Sequence, residues 1–209
     1  MHNALVAALL EPTALIVLTG AAGLGKTSVL TAAFESVSDP LMQVIQLDDD
    51  ECGMDQSFEA LFNAARCEER RPGLSGRCIV LVADQAETLP PGIFGYLELL
   101  TRMPGKDASV QLVIVGRSRF QDCIGDPVAD WFPVADWFQD TAPVHLVLAP
   151  LSEQDAWSLF HHRVSPAHAP RSVRRVVMML LERSGGVPGR FDQALQAAVA
   201  GGLLEGTLG

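Results

Sequence analysis

The chain has 209 residues, of which 48% are hydrophobic and 19% are charged, so it can bury a core of ordinary size and is not disordered by composition. Its 25 acidic residues outnumber its 15 lysines and arginines, and the formal net charge of −10 argues against non-specific nucleic-acid binding. The apolar runs are shorter than the roughly 18 residues that a membrane-spanning helix needs, and the N-terminus lacks the basic segment of a secretion signal. The four cysteines form no CxxC pair, which favours reduced thiols in a cytoplasmic protein.

Strand-like and helix-like segments alternate along the first 150 residues. Short apolar, β-branched runs predict strands at 14–19, 43–47, 78–83, 110–115 and 144–148. Apolar residues at helical spacing predict helices at 27–34, 57–70 and 93–103. Because parallel strands need crossover connections of this kind, the alternation predicts an α/β fold in which helices cover both faces of a parallel sheet.

The pattern changes after Pro150, where the strand-like runs stop. Ser152 and Asp155 have the spacing of a capping box, which predicts that a helix begins there. Two more helices are predicted at 172–183 and 189–199. The sequence therefore predicts two domains, an α/β domain of residues 1–150 and a small all-helical domain of residues 151–209.

The segment from Gly20 to Thr27, GAAGLGKT, matches the phosphate-binding loop pattern GxxxxGK[ST] and lies between a predicted strand and a predicted helix. In such a loop the glycines let several backbone N–H groups point at a phosphate, and the positive end of the next helix adds to the attraction. Lys26 is expected to reach the β- and γ-phosphates of ATP. The alternative is a glycine-rich turn without a ligand. The residues predicted to bind the nucleotide are Gly20, Ala21, Ala22, Gly23, Leu24, Gly25, Lys26, Thr27 and Ser28.

A second motif predicts a magnesium site. The apolar run 79–83 delivers Asp84 at the carboxyl end of its strand, where the aspartate of a nucleotide site holds Mg²⁺. The hydroxyl of Thr27 is the other expected protein ligand. Many strands end in an aspartate, so this prediction depends on the loop upstream of it.

Four segments, in order along the chain, resemble AAA+ ATPases, a P-loop NTPase family, related to general secretion pathway protein A and to the TniB-like transposition ATPases. They are Asp84–Pro90, Val110–Gly116, His145–Ser152 and Ser184–Arg190. The resemblance implies a parallel sheet with the strand order 5-1-4-3-2, a C-terminal helical lid, bound ATP and Mg²⁺, and assembly into a homo-oligomer. It also implies that Arg190 is the lid arginine that senses the γ-phosphate. Gly189 is inserted before this arginine and shifts it by one position, so the alternative is an ordinary surface arginine.

Two further positions depart from the pattern of the family. Where the relatives have a glutamate that polarises the attacking water, this chain has Gln85, and a carboxylate follows only at Glu87. A glutamine can orient water but cannot take up its proton, so hydrolysis is expected to be slow. Gln85 and Glu87 are the catalytic candidates, and Glu87 substitutes as the base only if the end of the strand bends. The first sensor of the relatives is a small polar residue, whereas Arg117 follows the strand here. Arg117 and Arg119 are candidates for an arginine finger that acts on a neighbouring subunit.

A tandem hexapeptide, PVADWF, occupies residues 127–138. A repeat this short excludes a solenoid, whose units run to about 20 residues or more. The segment is either a duplication tolerated in a surface loop or a contact loop, because it places two tryptophans and two phenylalanines outside the predicted elements.

Two functions of different class fit these features. The first is a slow ATPase that uses nucleotide to control its assembly or a protein partner. The second is a non-hydrolysing adaptor, in which ATP is a structural ligand and the loop at 127–138 is the interaction surface. A small-molecule kinase is disfavoured, because its arginine-bearing lid would lie within the α/β domain. The relatives continue into a transmembrane segment and a peptidoglycan-binding region, whereas this sequence stops at Gly209, so a membrane link is expected only through a partner.

Overall fold

Six α-helices, one 3-10 turn and seven strands lie in the part of the chain that the computed structural model describes, which is residues 1–11, 15–37, 42–47, 77–89, 91–102, 108–117, 142–165, 171–202 and 207–208. The helices are α1 (His2–Leu10), α2 (Lys26–Ser36), α3 (Pro91–Arg102), α4 (Glu153–Arg163), α5 (Arg171–Ser184) and α6 (Pro188–Ala200). The strands are β1 (Leu15–Gly20), β2 (Met42–Gln46), β3 (Arg77–Ala83), β4 (Ala108–Gly116), β5 (Val144–Leu148), β6 (Val164–Ser165) and β7 (Thr207–Leu208). The predicted helix at 57–70, Arg119 and the repeat at 127–138 lie outside the described residues.

Five strands form one parallel sheet in the order β2-β3-β4-β1-β5. Read from the other edge, this is the order 5-1-4-3-2 that the resemblance implies, so the predicted α/β fold is confirmed. Thr19 of β1 is level with Gly116 of β4, and Ala83 of β3 is level with Ile114 of β4. The carboxyl ends of β1, β3 and β4 therefore meet at one edge of the sheet.

Helices cover both faces of this sheet, which is why its central strands are apolar at almost every position. One face packs against α3, whose Phe94 and Leu97 are fully buried. The other face packs against α1 and α2, which contribute Leu5 and Leu30. Within the described ranges, none of the helices combines the length and the hydropathy that crossing a bilayer requires.

One buried polar side chain interrupts the apolar face under α1. Gln111 of β4 is 3% exposed, and its Nε2 donates hydrogen bonds to the carbonyl oxygens of Ala8 at 3.2 Å and Glu11 at 3.3 Å. These carbonyls lie at the C-terminal end of α1, where a helix lacks its own N–H donors. The glutamine therefore supplies two of the hydrogen bonds that this helix end needs.

The chain divides into two compact units. The first consists of Met1–Gly20 and Lys26–Leu148, and the second of Ala149–Gly209 together with the loop residues Ala21–Gly25. The apolar core of the second unit includes Phe160, Val177, Leu180, Phe191 and Leu195. These residues come from α4, α5 and α6, so the three helices share one apolar core.

The predicted capping box at the start of α4 is confirmed. The backbone N–H of Asp155 donates to Ser152 Oγ at 3.2 Å, and the N–H and hydroxyl of Ser152 donate to Asp155 Oδ2 at 3.0 and 2.6 Å. These bonds favour the ionised carboxylate, so the Ser152 hydroxyl and backbone N–H hold the pKa of Asp155 below its usual value.

The all-helical prediction for residues 151–209 is incomplete. Val164–Ser165 pairs antiparallel with Thr207–Leu208, forming a second sheet of two very short strands. A strand of two residues cannot show the alternation of apolar and polar residues on which sequence-based strand prediction depends. The pairing arises from the tertiary fold and has no local signal.

The turn between α5 and α6 offers a test of the packing in the second unit. Gly186 has φ +71°, and a Cβ there would lie 2.7 Å from Pro150 Cβ and 3.1 Å from the Leu151 nitrogen. Gly185 also has a positive φ, +62°, but a Cβ there would meet nothing within 4 Å. Gly185→Ala is therefore expected to cost about 1 kcal/mol of backbone strain. Gly186→Ala is expected to cost about 1–3 kcal/mol more, because it also overpacks the turn.

Chemical denaturation of both variants measures this difference, with Gly185→Ala as the matched control. Equal free energies of unfolding for the two variants would contradict the close approach of Gly186 to Pro150 and Leu151.

Candidate functional site

The loop between β1 and α2 carries the GAAGLGKT motif. Gly23 and Gly25 have φ values of +79° and +86°, a conformation that side-chain-bearing residues rarely adopt. Leu24 between them is buried, and its N–H donates to the Ala21 carbonyl at 3.4 Å. The loop thus has the strand, the helix and the glycine geometry that backbone binding of a phosphate requires. The exposed Ala22 lies in this loop, and the exposed Ser28 lies in the first turn of α2.

The Lys26 ammonium lies beside Gly20, the first residue of the same loop. Its Nζ donates a 2.9 Å hydrogen bond to the carbonyl oxygen of Gly20. Lys26 is half-buried at the N-terminal end of α2, where the helix dipole already favours an anion. A positive side chain and a positive helix end therefore occur at the same place in the fold.

The two residues predicted to hold Mg²⁺ are in direct contact, although 57 positions separate them in the sequence. The Thr27 hydroxyl donates a 2.7 Å hydrogen bond to Asp84 Oδ2. The other carboxylate oxygen, Oδ1, accepts the backbone N–H of Gln85 at 2.8 Å. Asp84 follows β3 and Thr27 belongs to α2, so the contact ties the carboxyl edge of the sheet to the first turn of that helix.

Gln85 has a backbone conformation that its sequence does not predict. Its φ of 51° and ψ of 46° place it in the left-handed region, which costs a residue with a side chain about 1–3 kcal/mol. Its carbonyl accepts the N–H and the hydroxyl of Thr88 at 2.8 and 2.9 Å, which closes the 3-10 turn Ala86–Thr88. Such strain is concentrated at functional sites. Gln85 is exposed directly beyond Asp84.

Glu87 and Arg117 form an ion pair that sequence reasoning missed, although it singled out both residues. Arg117 Nε lies 2.9 Å from Glu87 Oε1, and the Arg117 backbone N–H donates to Oε2 at 3.2 Å. The predicted strand order contains the information that points to this ion pair, because it places the end of β4 beside the end of β3. In this arrangement the arginine holds the carboxylate through both oxygens.

Arg190 lies in the first turn of α6 and is exposed. This helix begins with Pro188, a residue that favours the first turn because its missing N–H needs no partner there. The sensing role that the resemblance implies for Arg190 stays a prediction.

Comparison with known proteins adds to this geometry. No family model matches the chain. Over 155 residues it is 29% identical to general secretion pathway protein A of Aeromonas hydrophila, in an alignment that covers 71% of this chain and 27% of that relative. The chain thus spans about a quarter of the length of this relative. The resemblance to general secretion pathway protein A that the motifs predict is confirmed.

Solved structures show the same architecture. The Walker-type ATPase PABY2304 of Pyrococcus abyssi matches with a TM-score of 0.55 and 14% identity, over 97% of this chain and 71% of that chain. The ORC1 protein of Aeropyrum pernix, solved in complex with DNA, matches with a TM-score of 0.61 and 17% identity, over 100% of this chain and 61% of that chain. The chain has the fold of the P-loop ATPases.

In a fold of this class, ligands bind outside the carboxyl ends of the strands. Here the GAAGLGKT loop follows β1, Asp84 follows β3, and Arg117 follows β4, which lies between those two strands. The P-loop fold therefore brings most of the sequence-predicted residues to one edge of one sheet.

Proposed function

We propose that this protein binds ATP with Mg²⁺, hydrolyses it slowly, and uses the bound nucleotide to control its own assembly or its hold on a protein partner. The 2.7 Å hydrogen bond between Thr27 and Asp84 is the observation that carries the proposal, because it joins the phosphate loop to the strand-end carboxylate. The similarity to general secretion pathway protein A and the shared fold with a Walker-type ATPase support the same function.

In the proposed binding of ATP, the backbone N–H groups of the loop and the Lys26 side chain contact the phosphates. The N–H groups from Ala21 to Thr27 bind the phosphates, and the Lys26 ammonium exchanges the Gly20 carbonyl for phosphate oxygens. Charge-assisted hydrogen bonds of this kind are roughly twice as strong as neutral ones. Replacing the Gly20 carbonyl oxygen by phosphate oxygens is therefore favourable for the Lys26 ammonium.

The donor set at Thr27 and Asp84 fits Mg²⁺. A hydroxyl and a carboxylate supply the hard oxygen ligands that this ion prefers, and Mg²⁺ is usually held by only one or two protein groups plus phosphates and water. Held by these two residues, Mg²⁺ would supply positive charge that neutralises the phosphate oxygens of the nucleotide. Asp84 is already oriented for this role by the Gln85 N–H at its second oxygen.

Gln85 and Glu87 account for the proposed slow turnover. The Gln85 amide orients the attacking water but cannot accept its proton. Glu87 has a carboxylate that could accept it, but Arg117 occupies both of its oxygens. The same two observations favour the second candidate, an adaptor that binds ATP without hydrolysing it.

The proposed partner is a protein. The formal net charge of −10 disfavours a polyanionic partner, even though the ORC1 neighbour was solved with DNA. A homo-oligomer is the simplest assembly for an ATPase whose arginine finger comes from a neighbouring subunit. In this proposal any link to a membrane runs through the partner protein.

Thermal unfolding tests nucleotide binding without requiring turnover. Millimolar ATP with Mg²⁺ is expected to raise the melting temperature, because a ligand at 100 times its Kd stabilises the native state by about 2.7 kcal/mol. Chelating Mg²⁺ with EDTA is expected to remove most of this gain. An unchanged melting temperature with ATP and Mg²⁺ would contradict any role for ATP.

Phosphate release measured on the same samples separates the two candidate functions. Binding with slow, Lys26-dependent release supports the ATPase. Binding with release no faster than in the absence of protein supports the adaptor.

A further inference from the structure

A chain of hydrogen bonds connects the 3-10 turn after β3 to the first turn of α2. The Thr88 hydroxyl donates to the Gln85 carbonyl at 2.9 Å, and the Gln85 backbone N–H donates to Asp84 Oδ1 at 2.8 Å. The other oxygen of Asp84, Oδ2, accepts the Thr27 hydroxyl at 2.7 Å. Thr88 is the member of this chain to which the proposed function gives no role.

The turn that carries Thr88 is anchored in the apolar core. Ala86 and Leu89 lie on either side of it in sequence, are buried, and belong to the same core as the inner face of α3. The Leu89 N–H donates to the Ala86 carbonyl at 3.3 Å, which closes the turn. Thr88 itself is exposed. Its hydroxyl therefore donates from a fixed backbone, and its side chain can be changed without altering the core.

Gln85 needs a strong hold because its backbone conformation is unfavourable. Its φ of 51° and ψ of 46° lie in the left-handed region, which glutamine rarely adopts. The N–H and the hydroxyl of Thr88 both donate to its carbonyl, at 2.8 and 2.9 Å. If Gln85 relaxed to a favoured φ, the peptide group that joins it to Asp84 would rotate and turn its N–H away from Oδ1. The Thr88 hydroxyl thus helps to orient a carboxylate that it does not touch.

We propose that Thr88 is a positioning residue for the Mg²⁺ site, acting through the backbone of Gln85 on the Asp84 carboxylate. The inference rests on the proposed function, because it requires Mg²⁺ to bind with the nucleotide. While the Gln85 N–H occupies Oδ1, the second carboxylate oxygen stays beside the Thr27 hydroxyl, and these two oxygens are the proposed ligands. A carboxylate without this hold has to be ordered when the ion binds, which lowers the affinity.

Isothermal titration calorimetry tests the inference through binding alone, with the non-hydrolysable triphosphate adenylyl imidodiphosphate as the probe. Its Kd in EDTA divided by its Kd with Mg²⁺ is the magnesium gain. Thr88→Val removes the hydroxyl and keeps the β-branched shape. It is expected to lower the magnesium gain about 2-fold to 10-fold, the value of one neutral hydrogen bond, and to leave the affinity in EDTA unchanged. Thr88→Ser keeps a hydroxyl and is expected to keep the gain.

Thr101 provides a matched control. Its hydroxyl also donates to the carbonyl three residues earlier, that of Glu98, at 2.9 Å near the end of α3. Thr101→Val therefore removes a hydrogen bond of the same kind at a different place. It is expected to leave the magnesium gain unchanged. A merely structural role for Thr88 would make the two valine variants alike in this measurement.

A second substitution tests whether Thr88 acts through Gln85. Asparagine adopts the left-handed conformation more readily than glutamine does, so Gln85→Asn favours this backbone without help from the hydroxyl. Added to Thr88→Val, it is expected to recover part of the lost magnesium gain. In the wild-type background it is expected to change the gain little, which completes a double-mutant cycle. Absence of recovery in the double variant would contradict a route through the Gln85 backbone.

The outcomes separate this inference from the proposed function. If the wild-type protein binds the triphosphate neither with Mg²⁺ nor in EDTA, the proposed function fails, and the inference fails with it. If it binds equally under both conditions, the Mg²⁺ site and the inference fail while nucleotide binding stands. If the wild type shows a gain that Thr88→Val keeps, or that Thr101→Val loses to the same extent, only the role of Thr88 is overturned. Melting temperatures show whether each variant is folded, and Thr88→Ala carries the same prediction if Thr88→Val does not fold.

Discussion

Lys26→Ala is expected to abolish nucleotide binding while leaving the protein folded. The substitution removes the positive side chain of the phosphate loop. The loss of charge-assisted hydrogen bonds to two phosphates is expected to weaken ATP binding about 100-fold or more. The fold is expected to survive, because Lys26 belongs to neither apolar core of the sheet. Its ammonium bonds to the Gly20 carbonyl, which lies at the very end of β1. Calorimetry with ATP and Mg²⁺ measures the loss, and circular dichroism measures the fold.

The chain offers a matched control for this experiment. Lys106 is the other lysine of the sequence, so Lys106→Ala removes the same charge at a different position. It is expected to bind ATP as the wild type does. If both variants retain wild-type affinity, the assignment of the GAAGLGKT loop is wrong. If both lose it equally, net charge rather than the loop controls binding.

Gln85→Glu is expected to raise the rate of ATP hydrolysis without tightening ATP binding. Gln85 follows the proposed Mg²⁺ ligand directly, and a glutamate at this position can accept the proton of a water that a glutamine only orients. General-base groups contribute about 10²–10⁴-fold to rate, so even partial recovery is measurable. Glutamate and glutamine are nearly equal in size, so the left-handed backbone at this residue is strained to a similar degree in both. Phosphate release at saturating ATP measures the effect.

Glu87→Gln is the companion variant. If Glu87 is already the base, Gln85→Glu will change little and Glu87→Gln will abolish turnover. The assay needs high protein concentration and any available partner, because an arginine finger supplied by a neighbouring subunit is worth about 10³–10⁵-fold. A dilute wild-type protein that hydrolyses ATP at about 1 s⁻¹ or faster would show that the glutamine is no impediment.

Much of the fold was predictable, because its signals are local or periodic. The run from Leu15 to Gly20 is apolar at almost every position, as expected for a strand buried on both faces. The phosphate-loop motif also predicts the elements on either side of it, since the pattern requires a strand before the loop and a helix after it. The capping box at Ser152 was predictable from the sequence because its two partners lie three residues apart.

The remaining features depend on contacts between residues distant in the sequence. The left-handed backbone of Gln85 has no signal of its own, because glutamine is not a residue that favours this conformation. The ion pair of Glu87 with Arg117 joins residues 30 positions apart, and it follows only from the neighbouring positions of β3 and β4. The roles of the site residues stay predictions, because no sequence pattern measures affinity or rate.

Gln111 has a consequence for how the N-terminal helix finds its place. Aliphatic contact has no preferred direction, so a smooth apolar sheet face would accept α1 in several orientations of similar energy. An orientation that turned the Ala8 and Glu11 carbonyls away would remove the two hydrogen bonds that the buried Gln111 amide donates to them, each worth about 0.5–1.5 kcal/mol. One polar side chain thus excludes competing arrangements of the helix. Because α1 ends at Leu10 and β1 begins at Leu15, the orientation it selects also decides how the chain enters the strand that carries the phosphate loop.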